Sequence, residues 1–168
     1  MDDTTGPVGA DDGDLEPAAP QVQARIRDSF DRQGLMRLLG ARLQHVGPGR
    51  VHIVLPSRPE IGQQHGYVHA GATSAIADSA GGYAALTLFP EGSEVLTVEY
   101  KINLLAPAAG DHLEAVGTVR RSGRTLTVCQ LDVYGVTVGS RALVATGQQT
   151  LIRIDAEPEP DASELRSA

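Results

Sequence analysis

Residues 70–88 read AGATSAIADSAGGYAALTL, and this stretch is the one long candidate for a central helix. Nearly all of its side chains are small, and two adjacent glycines, Gly81 and Gly82, each cost about 1 kcal/mol relative to alanine inside a helix. Such small side chains allow a neighbouring segment to come very close to the helix backbone. We therefore expect a helix over residues 70–88 that is wrapped by a sheet.

Alternating apolar and polar residues on both sides of this helix predict β-strands joined by short turns. The other predicted elements are, in chain order, an amphipathic helix over residues 21–33, strands over 41–46 and 50–55 and, after the central helix, strands over 94–105, 113–121, 124–138 and 140–154. Connections of hairpin length favour an antiparallel sheet and an α+β fold. The missing strand–helix alternation argues against a doubly wound sheet.

The composition indicates one ordinary globular domain. The chain has 168 residues, of which 41% are hydrophobic, and no apolar run approaches the ~20 residues of a membrane span. The acidic N-terminus does not resemble a signal peptide, so we expect a cytoplasmic protein that makes no membrane contact. The single cysteine, Cys129, allows neither an internal disulfide nor a zinc site built from several cysteines.

The net charge of −7 is concentrated at the two ends of the chain. Residues 1–16 hold six acidic and no basic residues, whereas residues 17–155 hold 11 acidic and 13 basic ones. Both ends are rich in Pro, Gly, Ala and Asp and lack apolar periodicity. We predict disordered acidic tails over residues 1–20 and 156–168, and a single domain over 21–155.

Asp78 is the one charged residue of the central helix. The residues three and four positions away are small and uncharged, so no base on the same helix can pair with it. An unpaired carboxylate among apolar groups is costly to bury. Two interpretations remain open: an aspartate exposed on a polar stripe, or a carboxylate kept for chemistry.

The loop over residues 63–69 carries two glutamines and two histidines to the start of the helix. Free backbone N–H groups and the helix dipole favour negative charge at that end. The set could serve acyl transfer. Asp78 would then act as base or nucleophile, Gln63 would orient water or substrate, and the N–H of Ala70 or Gly71 would hold the carbonyl oxygen.

The pattern Gln63-x2-Gly66-x2-His69-Ala70-Gly71-x6-Asp78 resembles the signature of hotdog-fold acyl-CoA thioesterases, particularly the PaaI-like and 4-hydroxybenzoyl-CoA thioesterase group. The runs VLTVEYKINLLAPA and VRRSGRTLTVCQLDVY are similar to the sheet of that family, so the resemblance covers residues 34–154. It implies an obligate homodimer, or a homotetramer built from two such dimers. It also implies hydrolysis of a small, medium-length or aryl(acetyl) acyl-CoA thioester, with no cofactor beyond the coenzyme A of the substrate.

The resemblance further implies a role for individual residues. Asp78 matches the catalytic acid, Gln63 the loop amide, and Thr97 a hydroxyl residue that positions water near the acid. Ala70 matches the residue whose N–H polarises the thioester carbonyl. The family usually has glycine at this position. We therefore expect this chain to differ from the family in the shape of the substrate that it accepts. In the family, the loop amide and the helix acid of one site come from different subunits.

Two further groups have both a functional and a structural interpretation. Histidine can transfer protons near neutral pH, but the motif position of His69 implies that its ring orients the loop. Arg120, Arg121 and Arg124 flank a predicted turn, either as a solvated hairpin tip or as a clamp for the phosphates of coenzyme A. No histidine spacing indicates a metal site, and no aromatic series beside the basic residues indicates nucleic-acid binding.

Two alternatives to a thioesterase remain open. Ala70, in place of the usual glycine, is compatible with a non-catalytic hotdog protein that senses acyl-CoA. A hotdog dehydratase is the weaker alternative, because the helix start Val68–Gly71 lacks the proline that such enzymes usually have.

Overall fold

The computed structural model describes residues 15–155. Its elements are α1 (Pro20–Arg32), α2 (Gly34–Leu39), β1 (Arg42–Gly47), β2 (Arg50–Pro56), a 3-10 turn (Pro59–Ile61), α3 (Ala70–Leu86), β3 (Ser93–Leu104), β4 (His112–Ser122), β5 (Leu126–Thr137) and β6 (Ser140–Asp155). The acidic tail predicted over residues 156–168 lies outside the described residues, as do residues 1–14 of the other tail.

The six strands form one antiparallel sheet in the order β1-β2-β4-β5-β6-β3. The expected α+β fold with an antiparallel sheet is confirmed. One face of the sheet packs on α3 through alternating apolar residues of its central strands. The fully buried members of this core include Val51, Ile53, Leu55, Leu113, Leu131, Val133 and Leu151. Each such aliphatic side chain contributes roughly 1.5–3 kcal/mol by leaving water.

The helix and the sheet approach each other closely at two glycines. A Cβ atom at Gly117 of β4 would overlap the backbone of α3 at Ala80, so this glycine provides the close backbone contact that the composition predicts. A Cβ atom at Gly81 would instead overlap the side-chain oxygen of Gln149. Gly81 therefore makes room for a side chain. Gly82 meets nothing closer than 4.0 Å and lines open space.

The N-terminal segment differs from the prediction in two details. Ala18, which the sequence places in the disordered tail, is buried, and its N–H donates to the carbonyl oxygen of Val46. The sequence predicts that the first helix stops near Gly34, but α2 begins there after a break at the extended residue Gln33. The second helix ends at Leu39 and is capped by Gly40, whose φ of 71° is the left-handed conformation that glycine adopts readily.

Arg25 fastens α1 to the end of α3. Its guanidinium donates to the carbonyl oxygens of Leu86 at 2.7 Å, Pro90 at 2.9 Å and Phe89 at 3.1 Å. Leu86 is the last residue of α3, and Phe89 and Pro90 follow it in the loop to β3. A cation at the C-terminal end of a helix is favoured by the helix dipole. The N-terminal helix is thereby held over one end of the central helix. Within residues 15–155, no helix is both long and apolar enough to cross a membrane.

Candidate active site

Asp78 lies near the middle of α3, where its half-buried carboxylate is held by the sheet. The hydroxyl of Thr97 on β3 donates to Oδ1 at 2.8 Å, and Nε2 of Gln149 on β6 donates to the same oxygen at 2.6 Å. Among residues 15–155, the hydrogen bonds to this carboxylate all end on Oδ1. The carboxylate therefore has one anchored oxygen and one oxygen without a donor.

Gln149 is a site residue that the sequence analysis does not identify. Its side chain is fully buried at 0% exposure, and Nε2 also lies 2.9 Å from Oγ1 of Thr97 and 3.1 Å from the carbonyl oxygen of Asp78. The one available signal is strand alternation, since Gln149 shares the inward face of β6 with the buried Leu151. The adjacent Gln148 hides this signal, because two successive polar residues do not show which one points inward.

Asp78 and Thr97 line a cavity of about 360 Å³, which we call the acid cavity. A polar cluster also lines this cavity: Nε2 of Gln33 donates to the phenol oxygen of Tyr83 at 3.0 Å, and the hydroxyl of Ser29 lies 3.3 Å from that oxygen. Burial raises the pKa of Tyr83, and its hydrogen bonds to Ser29 and Gln33 only partly offset this, so the phenol stays neutral. The lining of the acid cavity thus combines the carboxylate of Asp78 with these neutral polar groups and with a second carboxylate, that of Glu94.

The loop over residues 63–69 and the start of α3 line a second cavity of about 410 Å³, the loop cavity. Within this loop, the Gln63 side chain accepts a hydrogen bond from the N–H of His65. Nδ1 of His69 accepts from the N–H of Gly71 at 2.9 Å, so His69 caps the helix with its ring. The Gly71 N–H is thereby occupied, whereas the Ala70 N–H finds no acceptor among residues 15–155.

One chain does not bring the loop residues and the acid together. Asp78 lies eight residues after Ala70, which corresponds to about 12 Å along the helix axis at 1.5 Å per residue. Accordingly, Asp78 and Thr97 line the acid cavity, while Gln63, His69 and Ala70 line the loop cavity. Neither cavity alone holds the complete set of groups expected for acyl transfer.

Arg120, Arg121 and Arg124 are exposed at the tip of the hairpin that joins β4 and β5. The pairing of Thr127 with Leu151, and of Leu151 with Thr97, places this tip at the end of the sheet where Thr97 lies. The three arginines line neither of the two cavities. Their role as a phosphate clamp stays a prediction.

The remaining reactive groups are unsuited to nucleophilic or metal chemistry. Cys129 is buried, and this burial raises the pKa of its thiol to about 12, so the thiolate does not form near neutral pH. His52 is buried on the other face of the sheet, with Nδ1 2.8 Å from a carboxylate oxygen of Glu114. Within the described part of the chain, no group of three or more His, Cys, Asp or Glu side chains could hold a metal ion.

Comparison with known proteins identifies the family. Residues 65–140 match the model of the thioesterase superfamily. A putative esterase of Halobacterium salinarum is 30% identical over 120 residues, which cover 68% of this chain and 79% of the relative. Among solved structures, a thioesterase family protein from Silicibacter pomeroyi is 42% identical with a TM-score of 0.78, over 80% of this chain and 99% of that one.

The PaaI protein of the E. coli phenylacetic acid degradation operon shares the fold at 20% identity. Its TM-score is 0.73, and the match covers 81% of this chain and 95% of that protein. The motif, the wrapped central helix and these similarities agree with one another. The chain therefore belongs to the thioesterase superfamily and is a thioester hydrolase with the hotdog fold.

Proposed function

We propose that this hydrolase cleaves small, medium-length or aryl(acetyl) acyl-CoA thioesters in a site shared by two copies of the chain, with Asp78 as the catalytic carboxylate. The observation that carries the proposal is the state of Asp78 itself. Two side chains anchor its Oδ1, and its Oδ2 has no donor among the described residues at the wall of the acid cavity. A carboxylate held in this way can act without first reorganising.

The chemistry needs no group beyond the substrate and water. Asp78 either removes a proton from a water molecule that attacks the thioester carbon, or attacks that carbon itself to give an anhydride that water then opens. In both routes the C–S bond breaks, coenzyme A leaves as the thiolate, and the acyl group leaves as the free acid. An oxyanion forms on the carbonyl oxygen and requires a donor.

The Ala70 N–H of a second copy is the donor that we assign to this oxyanion. It lies at the start of α3, where the helix dipole favours negative charge, and it has no acceptor within residues 15–155. The Gly71 N–H is less suited, because it already donates to His69. Gln63 would orient the thioester from the same loop, and His69 would hold the helix start in place. The methyl group of Ala70 would narrow this part of the site.

The exposed edge of the sheet supports a site built from two copies. Strand β3 is one of the two edge strands of the sheet and carries large apolar side chains that are 44–60% exposed, namely Leu96, Val98, Tyr100 and Leu104. A long apolar edge strand is a liability for a lone chain, since it offers unpaired backbone groups and apolar surface together. A second copy on β3 would cover this surface close to Thr97 and could bring its own loop cavity to the acid cavity.

The arginine cluster is the proposed clamp for the phosphates of coenzyme A. Arg120, Arg121 and Arg124 are exposed at the end of the sheet where Thr97 lies. The planar guanidinium group of arginine can donate two parallel hydrogen bonds to phosphate oxygens. Acyl pantetheine thioesters, which carry the same thioester and lack the phosphates, provide the matched substrate. We expect Arg124→Ala to raise KM for acyl-CoA and to leave KM for acyl pantetheine unchanged.

The experiment that tests the proposal is a thiol-release assay over a panel of acyl-CoA and acyl pantetheine thioesters. The wild type is expected to release thiol from some of these substrates, and Asp78→Asn to release far less from each of them. Full activity of Asp78→Asn on every responsive substrate would refute the assignment of the acid. If the wild type binds acyl-CoA tightly and releases no thiol, the result would instead favour the alternative of a non-catalytic protein that senses acyl-CoA.

A further inference from the structure

The side-chain amide of Gln149 donates to both the carboxylate and the backbone carbonyl of Asp78, and packing in the core does not require these hydrogen bonds. We infer that Gln149 is a positioning residue that holds Oδ1 of Asp78 and thereby leaves Oδ2 to carry out the chemistry. The inference rests on the proposed function, because it concerns how the proposed catalytic carboxylate is held. It concerns a residue that lies 71 positions from Asp78 in the sequence, on the inward face of β6.

The hydrogen bonds around Oδ1 form a closed set. Nε2 of Gln149 donates to Oδ1 at 2.6 Å and also lies within 3.1 Å of the Asp78 carbonyl oxygen and the Thr97 hydroxyl oxygen. The Thr97 hydroxyl in turn donates its proton to Oδ1 at 2.8 Å. Because both donors converge on one oxygen, rotation of the carboxylate would break two charge-assisted hydrogen bonds at once.

The helix leaves space for this glutamine. A Cβ atom at Gly81 would overlap Oε1 of Gln149 and also Cδ2 of Leu131. Glycine is nevertheless an unfavourable residue within a helix. Alanine at this position would improve the helix and displace the amide. The sequence therefore retains the less stable helix residue where it allows Gln149 to reach Asp78.

The orientation of the amide also indicates that the carboxylate determines it. Oε1 of Gln149 is buried and has no hydrogen-bond partner within the described residues. A buried acceptor without a partner is unfavourable, and leucine would fill the same space without that penalty. A glutamine kept at this position is thus best explained by its N–H donors, which point at Asp78 and Thr97.

Gln149→Leu and Gln149→Glu test this inference, with Gln130→Leu as the matched control. Gln130 on the other face of the sheet makes the same contacts to a threonine and an aspartate, at 2.8 Å from Thr146 Oγ1 and 3.1 Å from Asp132 Oδ1. We expect Gln149→Leu to lower kcat about ten- to a hundredfold with little change in KM, since small misplacement of a reacting group has large kinetic effects. Gln130→Leu should keep kcat at the wild-type value.

Gln149→Glu keeps the shape of the side chain and adds a second carboxyl group beside Asp78. Like charges oppose ionisation, so the low-pH limb of kcat/KM should move upward by about one pH unit or more. This readout does not depend on how Gln149→Leu folds, and it would not move if the side chain at position 149 lay away from the Asp78 carboxylate. A wild-type pH profile for Gln149→Glu, or a wild-type kcat for Gln149→Leu, would overturn the inference.

Asp78→Asn, measured in parallel, distinguishes failure of the positioning role from failure of the proposed function. If Asp78→Asn is inactive while the Gln149 variants behave as wild type, the positioning role fails and the proposed function stands. If Asp78→Asn keeps full activity, the proposed function fails, and the positioning role fails with it.

Discussion

Two sets of side chains with the same hydrogen-bond pattern lie on opposite faces of the sheet. In each set a threonine hydroxyl donates to Oδ1 of an aspartate, and a glutamine Nε2 donates to both. The inner set, which faces α3, consists of Asp78, Thr97 and Gln149. The outer set, on the other face, consists of Asp132, Thr146 and Gln130.

The difference between the sets lies in their surroundings. The outer set joins side chains of the neighbouring strands β5 and β6, where Asp132 and Thr146 are paired directly across the sheet. The inner set joins a helix to two strands, has a fully buried glutamine, and lines a cavity of about 360 Å³. The hydrogen-bond pattern alone therefore does not indicate catalysis. Both aspartates accept these hydrogen bonds on Oδ1, so the cavity beside the Asp78 carboxylate is what distinguishes the inner set.

The largest expected difference is between the two aspartates. Asp78→Asn should lower kcat about 10²–10⁴-fold, because the amide can neither accept a proton nor attack the thioester. Asp132→Asn is the matched control and should leave kcat unchanged. Thiol-release kinetics and thermal melts of both variants make the comparison. Equal losses of activity in the two variants would show that the inner set has no special role.

The two threonines should differ by a smaller factor. Thr97→Val removes a hydrogen bond to a charged group, which contributes about 1.5–3 kcal/mol, so we expect kcat to fall about tenfold to a hundredfold. Thr146→Val removes the corresponding bond of 2.7 Å in the outer set and should change thermal stability only. Comparable kcat values for the two variants would contradict the distinction.

The outer face should contribute stability that depends on pH. Burial alone would raise the pKa of Glu114, but the hydrogen bond from His52 and the charge of Arg141 outweigh it and hold the pKa below its ordinary value of 4.5. A carboxyl group whose pKa is lowered by folding stabilises the protein above that ordinary value, and this contribution is lost as the pH falls through the lowered value.

Glu114→Gln should therefore be less stable than the wild type near neutral pH, and the difference should shrink in acid. Its turnover should stay at the wild-type value, since Glu114 lies in neither cavity. Thermal melts on both sides of pH 4.5 measure the effect. A difference in melting temperature that grows in acid would contradict the lowered pKa of Glu114.

Local patterns predict most of the fold. The sequence predicts the long helix over residues 70–88, and the helix occupies Ala70–Leu86; each of the six strands lies close to its predicted position. Such elements depend on alternation and turn residues, which are local. The sequence does not predict the short helix α2, because glycine at position 34 is typical of a helix end, whereas the break in the backbone occurs at Gln33.

The site was predictable only in part. Asp78 is visible in the sequence because a helical carboxylate without a partner is costly. The sequence does not predict the role of Gln149, because its contact with Asp78 depends on the register of β6 beside β3 and on the space at Gly81. Spacing in the sequence also groups Gln63, Ala70 and Asp78 in one segment, whereas about 12 Å of helix separates Ala70 from Asp78 in a single chain.

The central claim is that two copies of the chain complete one site, and a mixed dimer tests it most directly. Asp78→Asn removes the acid. Ala70→Pro removes the proposed oxyanion donor at the first helical residue, where proline is tolerated and where His69, with ψ of 139°, has the backbone that precedes proline. Each variant alone should be nearly inactive, with Ala70→Pro losing about 10²–10³-fold in kcat.

The two variants, carrying different affinity tags, are expressed together and the mixed dimer is purified through both tags. One of its two sites then combines an intact Asp78 with an intact Ala70 from the other copy. We predict that the mixed dimer recovers about half of the wild-type turnover per dimer, as two-fold symmetry requires. A mixed dimer as inactive as its parents, or a chain that stays monomeric while hydrolysing thioesters, would contradict the shared site.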